Sequence, residues 1–191
     1  MAEIGWNSVQ NVHTFKYTCG FCGSMVASQR GWDGQIYQQP DAAKIRICPN
    51  CNGPTYFGSQ QAQCPGVSFG VPVTSLPPDV DRLYREARDS TSIGAYTSTV
   101  MVCRKILSNV SVYLGAEPGQ TFERYVDWLE NNGHIPPKGR PWVDRIRNKG
   151  NEANHEIAAI GKADAEQMIT FLGMLLKIVF EFPAQLSEEQ G

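Results

Sequence analysis

Six cysteines stand in the chain, and four of them fall into two C-x-x-C pairs, Cys19-Gly20-Phe21-Cys22 and Cys48-Pro49-Asn50-Cys51. Two thiolates separated by two residues can turn toward one point, and two such pairs supply the four tetrahedral sulfur ligands that a zinc ion prefers. Four protein ligands close the coordination shell, so the expected cofactor is structural zinc and not a catalytic metal with an open position. Iron held by four thiolates, for single-electron transfer, uses the same ligand set, and ligand type alone does not separate the two metals. Cys64 sits in a Cys-Pro-Gly turn without a C-x-x-C partner, and Cys103 falls in an apolar stripe; both read as ordinary thiols.

A second group with chemical potential lies near the C-terminus. Between residues 138 and 149 the chain carries Lys138, Arg140, Arg145, Arg147 and Lys149 against the single acid Asp144, a local excess of positive charge where an anion such as phosphate would dock. On a helix, Trp142, Val143, Ile146, Gly150, Ala153 and Ile157 gather on one face, and Asp144, Asn148, Asn151 and His155 form a polar stripe opposite. An imidazole beside bound phosphate can move protons near neutral pH. The same pattern also describes any surface helix with a wet face.

Different elements must position these two groups. His13 to Thr18 and Lys44 to Ile47 read as short strands that each run into a cysteine pair, and glycine after Cys22 permits a tight turn, so the first part is expected to be a small β ribbon. Its cations are Lys16, Arg30, Lys44 and Arg46, beside Phe21, Trp32 and Tyr37, aromatics that read as ribbon core and not as a base-stacking platform. Asn52 to Pro77 shows no sustained period and reads as a linker or an irregular wrap.

Five amphipathic helices are expected after it. The first opens at Pro77 and Pro78; the second covers about Ser92 to Leu114; the third covers about Thr121 to Asn132 and stops at Gly133. The fourth starts near Pro141. The fifth begins at a capping box of Asp164 with Gln167 and ends at Pro183. The expected fold class is mainly α, an antiparallel helical bundle with a small N-terminal zinc ribbon: ribbon over residues 1–57, linker over 58–77, bundle over 78–183 and a polar tail over 184–191.

Five of the six cysteines precede residue 65, while long helical periodicity starts after about residue 78, so the two parts need different sources of stability. No stretch reads as apolar enough to cross a bilayer, and the first ten residues lack the basic and apolar regions of a signal peptide; the expected location is cytoplasmic, without a membrane partner. In that reducing setting the paired cysteines are metal-binding thiolates and not disulfides. A formal charge of -2 argues against a general polyanion coat while allowing the local basic patch.

The run Ile-Arg147-Asn148-Lys-Gly-Asn-x-x-Asn-His155 between apolar helices, with Leu-Pro-Pro-Asp-Val and Tyr-Arg-Glu-Ala at the start of the bundle and Cys103-Arg104-Lys105-Ile106-Leu107 in its second helix, resembles the C-terminal domain of an uncharacterised bacterial family in the HEPN superfamily. The resemblance covers about residues 76 to 182. It implies a homodimer formed through the helices and a link to restriction and other defence proteins. It also implies a possible metal-independent ribonuclease in which Arg147 steadies the scissile phosphate, Asn148 is the polar residue that follows it and His155 is general acid or base. The Arg-to-His step here is one residue longer than that motif usually allows, which turns Arg147 about 80° away from His155 on a regular helix and puts Asn148 at the seven-residue position. The first expectation is therefore a zinc-binding, dimerising module that recruits a protein or RNA partner in a defence-type system, with Lys138, Arg140, Arg145 and Lys149 as nucleic-acid contacts. The alternative is a ribonuclease using Arg147 and His155.

Overall fold

The computed structural model describes residues 5–36, 39–58, 62–135, 144 and 160–188. The chain divides into two compact units, Met1–Ser68 and Phe69–Gly191.

The first unit is a five-stranded antiparallel meander: β1 (Gln10–Thr18), β2 (Met25–Ile36), β3 (Gln39–Ile47), β4 (Pro54–Phe57) and β5 (Gln63–Cys64), each paired with the next in sequence order. Its hydrophobic centre is small. Tyr17, Cys19, Cys48 and Phe57 are buried, with Phe15 and Val26 packed against them. The Phe57 ring stands edge-on to Phe15 at 4.8 Å and to Tyr17 at 5.1 Å between centroids, in the range where aromatic pairs attract. On β3, Arg46 is only 1% exposed; it pairs with Asp33 of β2 at 2.6 Å and donates to the carbonyls of Trp32 and Ile45. That guanidinium is part of the sheet's interior, so it is not a surface cation available to nucleic acid. Phe21, expected in the core, is 58% exposed.

The fold is thus mixed α and β, which corrects the mainly α expectation. The reason lies in β2 and β4. Met25-Val-Ala-Ser-Gln-Arg-Gly-Trp-Asp-Gly-Gln-Ile36 carries two glycines and no clean alternation, and Pro54-Thr-Tyr-Phe57 lies in a stretch that reads as linker. Both strands form because cross-strand pairing supplies what their own sequences lack.

The second unit is built from α1 (Pro78–Ser92), α2 (Tyr96–Tyr113), α3 (Phe122–Asn131) and α4 (Lys162–Leu176), which runs on through a π-helical turn (Lys177–Glu181) into α5 (Phe182–Glu188). Pro77 and Pro78 open α1, since a first-turn residue needs no N–H partner. Thr121 caps α3 by accepting from the Arg124 N–H, and Gly133 at φ 74° closes it. α4 starts at Lys162, so Asp164 sits in its first turn, where its charge favours the helix dipole, and is not the cap expected from the sequence.

One core joins the helices: Tyr84 and Ala87 from α1; Val100, Cys103, Ile106, Leu107 and Val110 from α2; Tyr125, Val126 and Leu129 from α3; Ile169, Leu172, Leu175 and Leu176 from α4. Each fully buried large side chain contributes roughly 1.5–3 kcal/mol. The segment before α1 is strapped to this unit. Arg88 donates to the carbonyls of Phe69 and Gly70, the Tyr84 hydroxyl to that of Val71 at 3.0 Å, and the Thr74 N–H to Glu181 at 2.7 Å.

Pro183 does not end the last helix as expected. Without an N–H it cannot complete the α-type bond to Val179, and its ring crowds that carbonyl; the helix widens just before it, with the Phe182 N–H donating to the Lys177 carbonyl, and then continues. By length and composition this helix, Lys162–Ser187, could cross a bilayer, which corrects the expectation that no stretch could. Its buried residues belong to the core just described, and core packing accounts for their apolar character.

Candidate metal centre

β1 ends at Thr18 and β3 at Ile47, so each delivers its chain directly into a cysteine pair. Both turns then close with the same backbone bonds. The Cys19 N–H donates to the Ser24 carbonyl and the Gly23 N–H to that of Cys19; the Cys48 N–H donates to Gly53 and the Asn52 N–H to Cys48. The fourth residue after the leading cysteine is left-handed in each, Gly23 at φ 70° and Asn52 at φ 60°. Glycine takes that conformation freely, and asparagine tolerates it best among the side-chain-bearing residues.

The four Sγ atoms all lie within 4.8 Å of one another. Cys19 and Cys51 are 3.7 Å apart and Cys22 and Cys48 3.8 Å. Disulfide sulfurs would be at about 2.05 Å, whereas a tetrahedron of metal–sulfur bonds of about 2.3 Å has edges of roughly 3.8 Å. Both quoted pairs cross from one turn to the other, so a bound cation would tie the two turns together. Cys19 and Cys48 are buried, while Cys22 and Cys51 sit at the surface.

Charge explains why the set needs a cation. Burial pushes the Cys19 thiol up, and burial together with the neighbouring sulfurs pushes Cys51 up to about 12. At Cys22, burial also raises, but the Ser24 backbone N–H, the Asn50 amide and the Ser24 hydroxyl outweigh it and bring the thiol down to about 6. Thiolates this close repel, so a divalent ion is what allows all four to stay ionised. Tyr17 stays a neutral phenol beside them, raised to about 12 by burial against the opposing Thr55 hydroxyl, with the Cys48, Cys19 and Cys51 sulfurs adding to the rise.

Further residues hold the turns together. Asn50 donates its amide to Cys22 Sγ at 3.6 Å and to Ser24 Oγ at 3.0 Å, from one turn to the other. Phe21 lies across Gly53, where a Cβ would meet its ring at 2.7 Å. Gln63 of β5 donates to the Thr18 and Pro65 carbonyls, and a Cβ on Gly20 would stand 2.3 Å from the Pro65 oxygen. Trp6 donates its indole N–H to Asn52 at 2.9 Å. Sequence reasoning missed Asn50 and Asn52; the signal was an asparagine inside the second pair and another at the place where the first turn has glycine.

Cys64 is exposed on β5 and Cys103 is buried in α2, its thiol pushed up to about 12 by burial; neither belongs to the cluster. Arg147, Asn148 and His155, and the cations Lys138, Arg140, Arg145 and Lys149, lie outside the described residues.

The family described as Domain of unknown function (DUF4145) matches residues 85–190, more than half of the chain. No curated protein and no solved structure matches it.

Proposed function

From the premise that the chain belongs to the DUF4145 family through its helical part, we propose that it is a zinc-stapled assembly module, HEPN-like in its helices, that recruits a protein or RNA partner in a prokaryotic or phage defence-type system. The observation that carries this reading is the closed sulfur tetrahedron, with cross-turn edges of 3.7 and 3.8 Å. Four thiolates leave no coordination position for substrate, so a zinc ion there supplies cross-linking and no catalysis. It stabilises a sheet whose own buried cluster is small, leaving the surfaces of both units for recognition.

Two measurements test it. Metal analysis of the purified chain should give one zinc per chain and a colourless protein; strong visible absorption from bound iron would replace the assembly role with electron transfer. Incubation with labelled single-stranded RNA, with and without EDTA, should give binding or no interaction, without cleavage. EDTA-resistant cleavage that disappears in a folded His155→Ala variant would overturn the assembly reading.

A further inference from the structure

Two charged residues stand in α2. Lys105 is exposed, and Arg104 lies on the core face, where Val100, four residues before it, and Leu107, three after it, are each 1% exposed and Arg104 itself is 9% exposed. A guanidinium keeps its charge in a protein and carries N–H donors on every nitrogen, so taking it out of water leaves those donors in need of acceptors. Among the described residues nothing accepts from its buried Nη1. Other buried polar atoms in that condition have a counterpart beside them: Asp33 and Arg46 form an ion pair, and Tyr17 faces Thr55. Arg104 has no such counterpart. Burial pulls its pKa below the ordinary arginine value, and the charge of Glu123 offsets only part of that.

What touches the guanidinium is a ring. Its central carbon lies 4.3 Å from the centroid of Phe122. The ring attracts the cation through the flat face of the guanidinium, whereas the N–H donors point outward in the guanidinium plane, so this contact leaves the donating edge unused. Phe122 is the first residue of α3. An N–H at that position has no partner inside the helix, and the cap side chain, Thr121, serves Arg124; the Phe122 N–H is therefore also without an acceptor among the described residues. The positive end of the α3 dipole adds to the charge of Arg104.

We infer that Arg104 and the start of α3 form a binding site for a small tetrahedral oxyanion of the phosphate class, which accepts from the guanidinium edge and from the first N–H of the helix. The donors come from two separate groups, and a tetrahedral anion presents oxygens in directions that a flat carboxylate does not. The enclosure of Nη1 suits a free ion of this size and not the backbone of a polymer. The site lies wholly within Phe69–Gly191, and the inference goes beyond the assembly reading without depending on it.

The test is thermal melting of the full metal-loaded chain, followed by its far-ultraviolet helical signal, in phosphate, acetate and chloride at equal ionic strength, with calorimetric titration of inorganic phosphate for affinity. In phosphate the wild type should melt higher than in chloride, by an amount that grows with phosphate concentration. Arg104→Met, whose side chain covers Phe122 without burying a charge, should lose that gain and should melt at or above the wild type in chloride. Arg104→Lys keeps the charge without the planar fork and should raise the phosphate dissociation constant about 10-fold or more. Comparison with Arg104→Met separates the site from the general stabilisation that phosphate gives any fold. No gain in the wild type overturns the site. The same gain in Arg104→Met also overturns it and assigns the binding to other cations. An Arg104→Met chain that melts far below the wild type in chloride overturns it as well, because the guanidinium would then be a satisfied part of the core. A gain in acetate that equals the gain in phosphate and disappears in Arg104→Met overturns the phosphate class in favour of a carboxylate.

Discussion

The two units reach stability by opposite routes. In Met1–Ser68, the buried hydrophobic cluster among the described residues is Tyr17, Cys19, Cys48 and Phe57, with Ile47 also buried in the sheet, and two of the cluster's four members are metal-ligand candidates. In Phe69–Gly191, more than twenty buried residues, most of them from α1 to α4, form one continuous hydrophobic core among the described residues. A small sheet with so few buried apolar side chains is hard to stabilise against its own chain entropy, and a metal ion held by the four sulfurs would supply the difference. The helical unit has no such need, and its one buried thiol, Cys103, is packing.

The largest effect expected from this contrast is metal removal. Chelation, or Cys48→Ser, should unfold the sheet and abolish the near-ultraviolet dichroism of Trp6 and Trp32, while the far-ultraviolet helical signal persists. Metal binding of this kind is linked to folding by on the order of 10 kcal/mol, far more than the sheet's cluster provides. Loss of the helical signal together with the sheet would show that the units do not stand on separate footings. The converse variant is Leu175→Ala, which empties a fully buried site in α4. It should cost the helical unit about 2–5 kcal/mol, read as a lowered melting temperature, with metal content unchanged.

Legibility in the sequence follows the same division. The ligand set was readable because C-x-x-C is a local pattern whose chemistry depends on residue type and spacing alone, and the helices α1 to α3 were readable because their apolar stripes repeat within the segment that forms them. The sheet was underestimated because β2 and β4 owe their state to neighbours. Gln63, whose amide braces the first turn, looks like any linker glutamine until Pro65 is folded beside it. Pro183 reads locally as a stop; only the surrounding core, which holds Phe180 and Leu176 in place, explains why the helix widens and goes on.

A smaller effect concerns the strap over the helices. Lys177 and then the Thr74 N–H favour the charged form of Glu181 and hold its carboxyl below the ordinary glutamate range. A depressed folded value means that its contribution is fully present above the unfolded pKa of about 4.3 and is lost as pH falls through the folded value. Acid titration of the melting temperature should therefore show a loss below about pH 4 that is weaker in Glu181→Gln, while the wild type and the variant should respond alike between pH 6 and 8. A variant curve parallel to the wild type throughout would remove Glu181 from the strap.

The finest comparison is between the two turns of the sulfur cluster, which share their backbone bonds but not the residue at the left-handed position. A Cβ added to Gly23 meets nothing within 4 Å, so Gly23→Ala introduces backbone strain and no clash, and about 1–2 kcal/mol should be lost from the sheet. Asn52 already carries a side chain there, and glycine takes the same left-handed conformation freely while its main-chain oxygen still accepts from Trp6, so Asn52→Gly keeps the backbone of the turn and isolates what the asparagine side chain contributes. Competition with a colorimetric zinc chelator reads both: Gly23→Ala should release metal at measurably lower chelator than the wild type, and the Asn52→Gly curve measures the asparagine side chain against that strain. Equal loss in the two variants would mean that the Asn52 side chain has a task beyond tolerating its backbone, and that the turns are alike in hydrogen bonds but not in what holds them.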